Sequence, residues 1–268
     1  ILWPFRAICR MLIVTAVHVI KRPTVLAWSY LHRGLNMMTR QFATFTLLAV
    51  LVIGVYARNG AAAAKYGPNA TALSKRTNAQ YFKSNDALDF WTLIPFYLPQ
   101  TKAQQCSAAN FEMVLNAARS GKELTSGDEL ITIESLLSKY SDKKYEKAMS
   151  ASFVKLALLD RSEVVIRRLT EVLVTALKKT GLYGEQTKVE LITIEPANKA
   201  ERKTLFREHL LKNEKSSDDY LILNLMQGRM TGDPDGGAHI ITVGAYDETK
   251  GLVLILDPDR QWYEPYWV

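Results

Sequence analysis

Cysteine and histidine are scarce in this sequence, which has two cysteines and four histidines among 268 residues. Two cysteines cannot supply the disulfide framework of a small secreted domain, and no Cys/His spacing is typical of structural zinc. Collagen-like and low-complexity repeats are missing too, and 14 glycines and 9 prolines are ordinary for a globular chain. We therefore expect one or two domains, each with a hydrophobic core.

Acidic residues are absent from the first 64 positions, which hold seven of the 34 basic residues. The remaining 27 basic residues are balanced by 27 acidic ones, so the net charge of +7 belongs to the N-terminal segment. The rest of the chain is neutral and has no basic block that could follow a phosphate backbone, which argues against nucleic-acid binding. The seven basic residues are Arg6, Arg10, Lys21, Arg22, Arg33, Arg40 and Arg58.

No apolar run reaches the roughly 20 residues that span a membrane. The clearest one, residues 42–55, is uncharged, follows Arg40 and precedes the alanines at 61–64. A basic start, a short apolar core and small residues are typical of a secretory signal peptide, with cleavage expected near Ala63 or Ala64. We therefore predict a periplasmic or secreted protein. An uncleaved membrane anchor is the alternative.

Translation is expected to begin at Met37 or Met38, which makes the preceding stretch upstream sequence. Residues 1–64 are accordingly predicted to be an upstream segment and signal peptide, and residues 65–268 a single domain. Loss of the leader removes Cys9 and leaves Cys106 alone in an oxidising compartment. A lone buried cysteine that acts as a small apolar residue is the common alternative to a reactive one.

Helical periodicity comes first in residues 65–268, and strand-like runs dominate the end. A helix is predicted from Cys106 to just before Gly121, and two more follow Asp160 and Asn198. Strands are predicted at residues 189–194, 220–225, 240–246 and 252–256, with the last two in a hairpin across residues 247–251. This order predicts an α+β architecture, in which the helical part packs on a C-terminal antiparallel sheet.

The hairpin register predicts a histidine–carboxylate pair. A turn centred near Glu248 pairs residues whose numbers sum to about 496, which sets His239 opposite Asp257. Opposed residues lie roughly 5 Å apart at Cβ and project to one face, so the two side chains are placed to hydrogen-bond. Such a pair is the base and orienting group of a nucleophilic triad. The alternative is a coincidental pair of solvated side chains, because a one-residue error in register would separate them.

Cys106 completes this pattern because it lies in the first turn of its predicted helix. The unsatisfied N–H groups and the dipole at a helix N-terminus favour the thiolate form. A cysteine on a helix start that faces a histidine on a sheet is the papain-like arrangement. Gln100 lies six residues earlier, where papain-like enzymes carry the side-chain donor of the oxyanion hole, and the Cys106 backbone N–H is the second donor.

Four further sequence segments occur in the order found in a known family. They are QTKAQQC at 100–106, VLNA at 114–117, Thr231-Gly232 followed by His239, and LILDPDRQWYEPYWV at 254–268. On these residues the chain resembles phytochelatin synthase from about residue 90 to residue 268. The closing run is the most specific part, since a generic papain-like hydrolase is not expected to carry it.

The resemblance implies a papain-like fold, glutathione as the substrate and a catalytic triad of Cys106, His239 and Asp257. Arg260 is a candidate partner for a substrate carboxylate through its guanidinium fork, with a surface ion pair as the alternative. The sequence requires no cofactor and predicts no metal ligands. By the resemblance, a heavy-metal ion such as Cd or Zn enters as the glutathione thiolate.

The chain departs from the family pattern at several positions. Ser107 follows the nucleophile where the family usually has glycine, and the family's His-x-Ser-Pro reads His239-Ile240-Ile241-Thr242. Residues 233–237 are interpreted as a small insertion before the histidine. Because the sequence ends at Val268, we expect a short form without the Cys-rich C-terminal region of eukaryotic members.

The sequence therefore predicts an exported cysteine peptidase that transfers γ-Glu-Cys from glutathione to water or to a second glutathione. One alternative is a papain-like peptidase that acts on another small peptide. Another is a non-catalytic module that binds thiol peptides or metal thiolates. The departure from the family pattern at Ser107 is the feature that supports this alternative. Contact with a membrane is expected only through the leader, and a homodimer is compatible with the sequence.

Overall fold

The computed structural model describes residues 10–16, 66–75, 77–102, 105–120, 124–140, 162–194, 199–233, 237–259 and 264–268. The predicted helix starts at Asp160 and Asn198 lie outside these ranges, although both helices are present. The helices are α1 (Leu88–Leu93), α2 (Cys106–Ser120), α3 (Ile133–Ser135), α4 (Ser162–Lys179), α5 (Lys199–Asn213) and α6 (Gln227–Thr231). Within the described ranges, no helix is long and apolar enough to cross a membrane.

Within the described residues, seven strands form one sheet, in the order β2-β7-β6-β5-β4-β1-β3. The five strands from β2 to β4 in this order pair antiparallel, and most of them come from the C-terminal part of the chain. The α+β prediction is therefore confirmed. The strands are β1 (Arg10–Ala16), β2 (Thr71–Ala72), β3 (Lys188–Ile194), β4 (Asp219–Met226), β5 (Ala238–Asp247), β6 (Leu252–Leu256) and β7 (Tyr266–Trp267).

Strand β1 comes from the stretch before Met37 that was predicted to be upstream sequence. It pairs in parallel with β3 and with β4, for example Ile13 opposite Leu191 and Ile222. The apolar run at 11–20, predicted to be upstream sequence, thus contributes a strand in this structure. The boundary between residues 64 and 65 stays a prediction.

Helix α2 is the central helix of the fold. Every side chain from Ser107 to Ala117 along it is buried, including the polar residues Asn110, Glu112 and Asn116. A helix that is enclosed on all sides has to find partners for each of its polar groups. Asn116 does so by donating to the Ile131 carbonyl and accepting from the Ile131 N–H. The predicted end before Gly121 agrees with the observed last residue, Ser120.

The sheet is buried on both faces. Alternate residues of the central strands belong to different core clusters: Ile222 and Leu254 pack with α2 and α4, whereas Leu223 and Ile255 pack with Leu210 of α5. Because side chains of a strand alternate between faces, this split defines a three-layer arrangement of helices, sheet and helix. The near-continuous apolar runs of these strands follow from burial on both sides.

The β5–β6 hairpin has a different register from the predicted one. Asp247 pairs with Leu252 at the turn, but the register shifts by one residue between Val243 and Ala245. The shift is a bulge at Gly244, where a Cβ atom would lie 3.0 Å from Leu256 Cγ. Beyond the bulge, opposed residues sum to 498 rather than 496. The predicted register was therefore wrong by two residues at the end of the hairpin that lies near His239 and Asp257.

Asp89 of α1 makes the stability of the fold depend on pH. Burial, followed by the nearby carboxylates of Asp219 and Glu214, raises the pKa of Asp89 well above its ordinary value, and the Asn213 amide only partly opposes this. A raised carboxyl pKa contributes stability that is complete below the ordinary carboxyl range and is lost as pH rises through the folded-state value.

We expect Asp89→Asn to raise the melting temperature at pH 8, because a neutral amide does not pay the desolvation cost of a carboxylate. The gain should shrink towards pH 4, where the carboxyl is protonated. Thermal unfolding followed by circular dichroism at both pH values measures this. Asp86→Asn, three residues earlier on the exposed surface, is the matched control. Equal melting temperatures of Asp89→Asn and the parent protein at pH 8 would contradict the prediction.

Candidate active site

Cys106 is the first residue of α2, as predicted. Its side chain is partly exposed, and within the described residues it forms no disulfide. The helix behind it has 15 residues, so the N-terminal end carries unsatisfied N–H groups and the positive end of a sizeable dipole. Negative charge that forms next to such a helix end during a reaction is stabilised by these groups.

His239 and Asp257 form the predicted pair. The His239 Nε2 atom lies 2.6 Å from Asp257 Oδ1, and both side chains are buried. The contact survives the register error because an even offset keeps both residues on one face, whereas an offset of one would have separated them. With Thr242 opposite Leu256, the two residues are diagonal neighbours just beyond the paired part of the hairpin.

The surroundings of His239 favour the protonated form of its imidazole. Burial by itself lowers the pKa of His239, but the charge and hydrogen bond of Asp257, together with those of Cys106, outweigh it and raise the pKa to about 10. Since Nε2 faces Asp257, Nδ1 is the ring nitrogen left for the Cys106 sulfur. The arrangement can therefore hold an imidazolium between a carboxylate and a thiolate, a pair suited to nucleophilic attack followed by proton donation.

Asp257 is held by more groups than the sequence suggested. Its Oδ1 atom also accepts from the Asp259 backbone N–H at 2.9 Å, and Oδ2 accepts from Gln227 Nε2 at 2.9 Å and Tyr266 Oη at 2.7 Å. Burial and the neighbouring carboxylate raise the pKa of Tyr266, so its hydroxyl stays a donor. These three donors fix the orientation of the carboxylate towards His239.

Two of these donors were missed in the sequence. Tyr266 lies in the closing run that carries the family resemblance, so the sequence indicated that this position matters. It did not indicate that the hydroxyl donates to Asp257. Gln227 follows β4 in the short helix α6, 30 residues before Asp257, and no spacing pattern points to it. Only the packing of α6 against the end of the hairpin reveals its partner.

Gln100 lies beside the loop that follows Asp257. Its backbone N–H donates to the Pro258 carbonyl at 2.7 Å, and its side chain is buried. Tyr97, three residues earlier, donates its hydroxyl to the Asp257 carbonyl at 2.6 Å. The segment before Cys106 is thus tied to the main chain of the Asp257 loop, and Gln100 belongs to the same region of the molecule as the histidine–aspartate pair. Its role as an oxyanion donor stays a prediction.

The other predicted features lie partly outside the described residues. Arg260 lies outside the described residues, so its role in binding a substrate carboxylate stays a prediction. Among the described residues, no group of three or more His, Cys, Asp or Glu side chains is arranged to hold a metal ion.

A family model supports the family assignment. The model described as phytochelatin synthase matches residues 67–268, about three quarters of the chain and all of the site described above. The chain belongs to the phytochelatin synthase family. The suspected resemblance is therefore confirmed, and the match implies an enzyme of the glutathione γ-glutamylcysteine transferase kind. No curated protein gives a significant match to this chain.

Membership explains why the closing run is so specific. In this chain the run supplies Asp257 and Tyr266, whose side chains form a hydrogen bond of 2.7 Å beside His239. The residues that carry the family resemblance therefore also form the buried carboxylate site. Members of the family use glutathione as substrate, which contains a thiol, two carboxylates and the peptide bond that such a site can cleave.

Proposed function

We propose that this protein removes glycine from glutathione through a γ-Glu-Cys acyl-enzyme on Cys106. The observation that carries the proposal is the partly exposed cysteine at a helix start, beside a buried histidine that is bonded to a buried aspartate. Membership of the phytochelatin synthase family supplies the substrate class. The papain-like type of fold and the export of the mature protein are parts of the same proposal.

The chemistry proceeds in two halves. The Cys106 thiolate attacks the carbonyl carbon of the Cys–Gly peptide bond, and the His239 imidazolium gives its proton to the departing glycine amine. The acceptor, which is water or the amino group of a second glutathione, is not needed until the second half. There an acceptor attacks the thioester, His239 takes the acceptor's proton, and the Cys106 thiolate is released with an imidazolium beside it.

The remaining residues orient the imidazole and the substrate, and stabilise the negative charge that forms during attack. Asp257 holds the imidazole in the tautomer that presents Nδ1 to the sulfur, and three other donors keep the carboxylate in place. Gln100 and the Cys106 backbone N–H are proposed to bind the oxyanion that forms during attack. Arg260 is proposed to bind a glutathione carboxylate. Cd or Zn enters, in this proposal, as a thiolate of the substrate.

Incubation of the purified protein with glutathione, scored for free glycine and for γ-Glu-Cys by mass spectrometry, tests the proposal. Glycine release that depends on Cys106 is the expected result. Release of other amino acids from other small peptides, with glutathione left intact, would favour a different peptidase. Binding of glutathione without any cleavage would identify a non-catalytic module.

Hydrolysis is expected to dominate over polymer formation. A second glutathione outcompetes water only if it is bound beside the acyl-enzyme, which demands dedicated contacts. The family pattern is altered at Ser107, next to the nucleophile, and at residues 240–242, next to His239, and we propose that these changes weaken the acceptor contacts. A time course with and without Cd or Zn should give γ-Glu-Cys as the main product. If γ-Glu-Cys oligomers account for most of the released glycine, the prediction is wrong.

A further inference from the structure

A buried amide joins the nucleophile helix to the histidine strand. Asn110 lies one turn after Cys106 on α2, and its side chain is fully buried. Its Nδ2 atom donates to the Cys106 carbonyl at 2.7 Å and to the Ile240 carbonyl at 2.8 Å. One amide nitrogen thus contacts the main chain of the nucleophile and the main chain of the residue next to His239.

Thr242 completes the link from the side of β5. Its hydroxyl donates to Asn110 Oδ1 at 2.5 Å, and the threonine is also fully buried. Asn110 therefore uses its amide protons and its oxygen in one closed set of contacts, and the oxygen depends on the threonine hydroxyl. We call this set, formed by Asn110, Thr242 and the carbonyls of Cys106 and Ile240, the helix–strand link.

The link has the geometry to set the separation of the reacting pair. Cys106 and His239 come from different elements and are 133 positions apart in the sequence. The link attaches to Cys106 itself on one element and to the residue beside His239 on the other. A buried polar network with every member satisfied is rigid, and removing one partner leaves the others unpaired.

We infer that Asn110 and Thr242 are positioning residues that hold the Cys106 sulfur within reach of the His239 imidazole. This inference rests on the proposed function of the pair. Neither side chain is argued to touch the substrate, because their hydrogen bonds end on the main chain and on each other.

The test compares Thr242→Val with Thr242→Ser in the full chain. Valine keeps the branched shape but removes the hydroxyl, whereas serine keeps the hydroxyl. The first readout is the rate at which iodoacetamide labels Cys106 at pH 7, followed by mass spectrometry of the tryptic peptide of residues 103–119, which separates it from Cys9. This rate reports the thiolate that a nearby imidazolium favours, and it needs no substrate.

We expect Thr242→Val to slow labelling by at least about tenfold and to lower kcat for glycine release by a similar factor with little change in KM, since small misplacements at a reacting pair are costly. Thr242→Ser should stay close to the parent protein in both. A folded Thr242→Val protein with parent-like labelling and kcat would overturn the inference.

Asn110→Ser serves as the second variant if Thr242→Val does not fold. Serine can still bond within its own helix but is too short to reach β5, so the same loss of labelling is expected. Parent-like labelling in folded Asn110→Ser, or failure of both variants to fold, would overturn the positioning role. If the parent protein releases no glycine while labelling still falls in the variants, the proposed function fails and the positioning role stands.

Discussion

Replacement of Cys106 by alanine is expected to abolish glycine release from glutathione, with a loss of at least about 10³-fold in kcat/KM. The sulfur is the only group in the site described here that is placed to form the acyl-enzyme, at the start of α2 and beside His239. The measurement is free glycine against time, with the acyl-enzyme detected as a mass increase of the intact protein.

Cys106→Ser is the matched control for this prediction, because it keeps the size and polarity of the side chain but is a far weaker nucleophile. Both variants should bind glutathione by calorimetry and melt like the parent protein, since the side chain is partly exposed. Glycine release at the parent rate by either purified variant would rule out a covalent mechanism on Cys106.

Asp257→Asn is expected to lower kcat by about 10²- to 10⁴-fold, which is the range for loss of the orienting carboxylate in a triad. The amide can present an N–H to His239 in place of an acceptor, and the imidazole then adopts the wrong tautomer or rotates. Gln227 and Tyr266, which donate to the carboxylate, would face a group that accepts at one atom only.

The same substitution should change the pH profile. In the parent protein the raised pKa of His239 keeps the imidazolium at neutral pH, and we expect activity to fall as pH rises through about 10. Without the Asp257 charge, burial remains as the dominant influence and lowers the pKa of His239, so the alkaline limb should move to lower pH. The measurement is kcat/KM for glycine release from pH 6 to pH 11.

Asp247→Asn, at the turn end of the same hairpin, is the control for this pair of effects. It changes the same chemical group far from the site and should leave both rate and profile unchanged. Collapse of the circular dichroism spectrum in Asp257→Asn would instead identify the aspartate as a structural residue. An unchanged alkaline limb in a folded Asp257→Asn protein would show that the protonation of His239 does not control the activity.

Local patterns in the sequence were sufficient for the elements that carry the site. Helix α2 begins at Cys106 and ends at Ser120, and strand β6 covers Leu252–Leu256, as the periodicity and turn residues predicted. The His239–Asp257 contact was also predicted, although from the wrong register. Helical periodicity, strand alternation and glycine turns depend on residues a few positions apart, so one sequence is enough to detect them.

The tertiary structure decided the rest. The bulge at Gly244 depends on how closely Leu256 approaches from the opposite strand, and the donors to Asp257 come from residues 9 and 30 positions away. Asn110 meets Thr242 across 132 positions. Buried polar groups must find partners wherever packing brings them, and no spacing rule records which distant partner that is. The sequence by itself therefore determined the elements and the reacting residues, whereas the fold determined which side chains hold them in place.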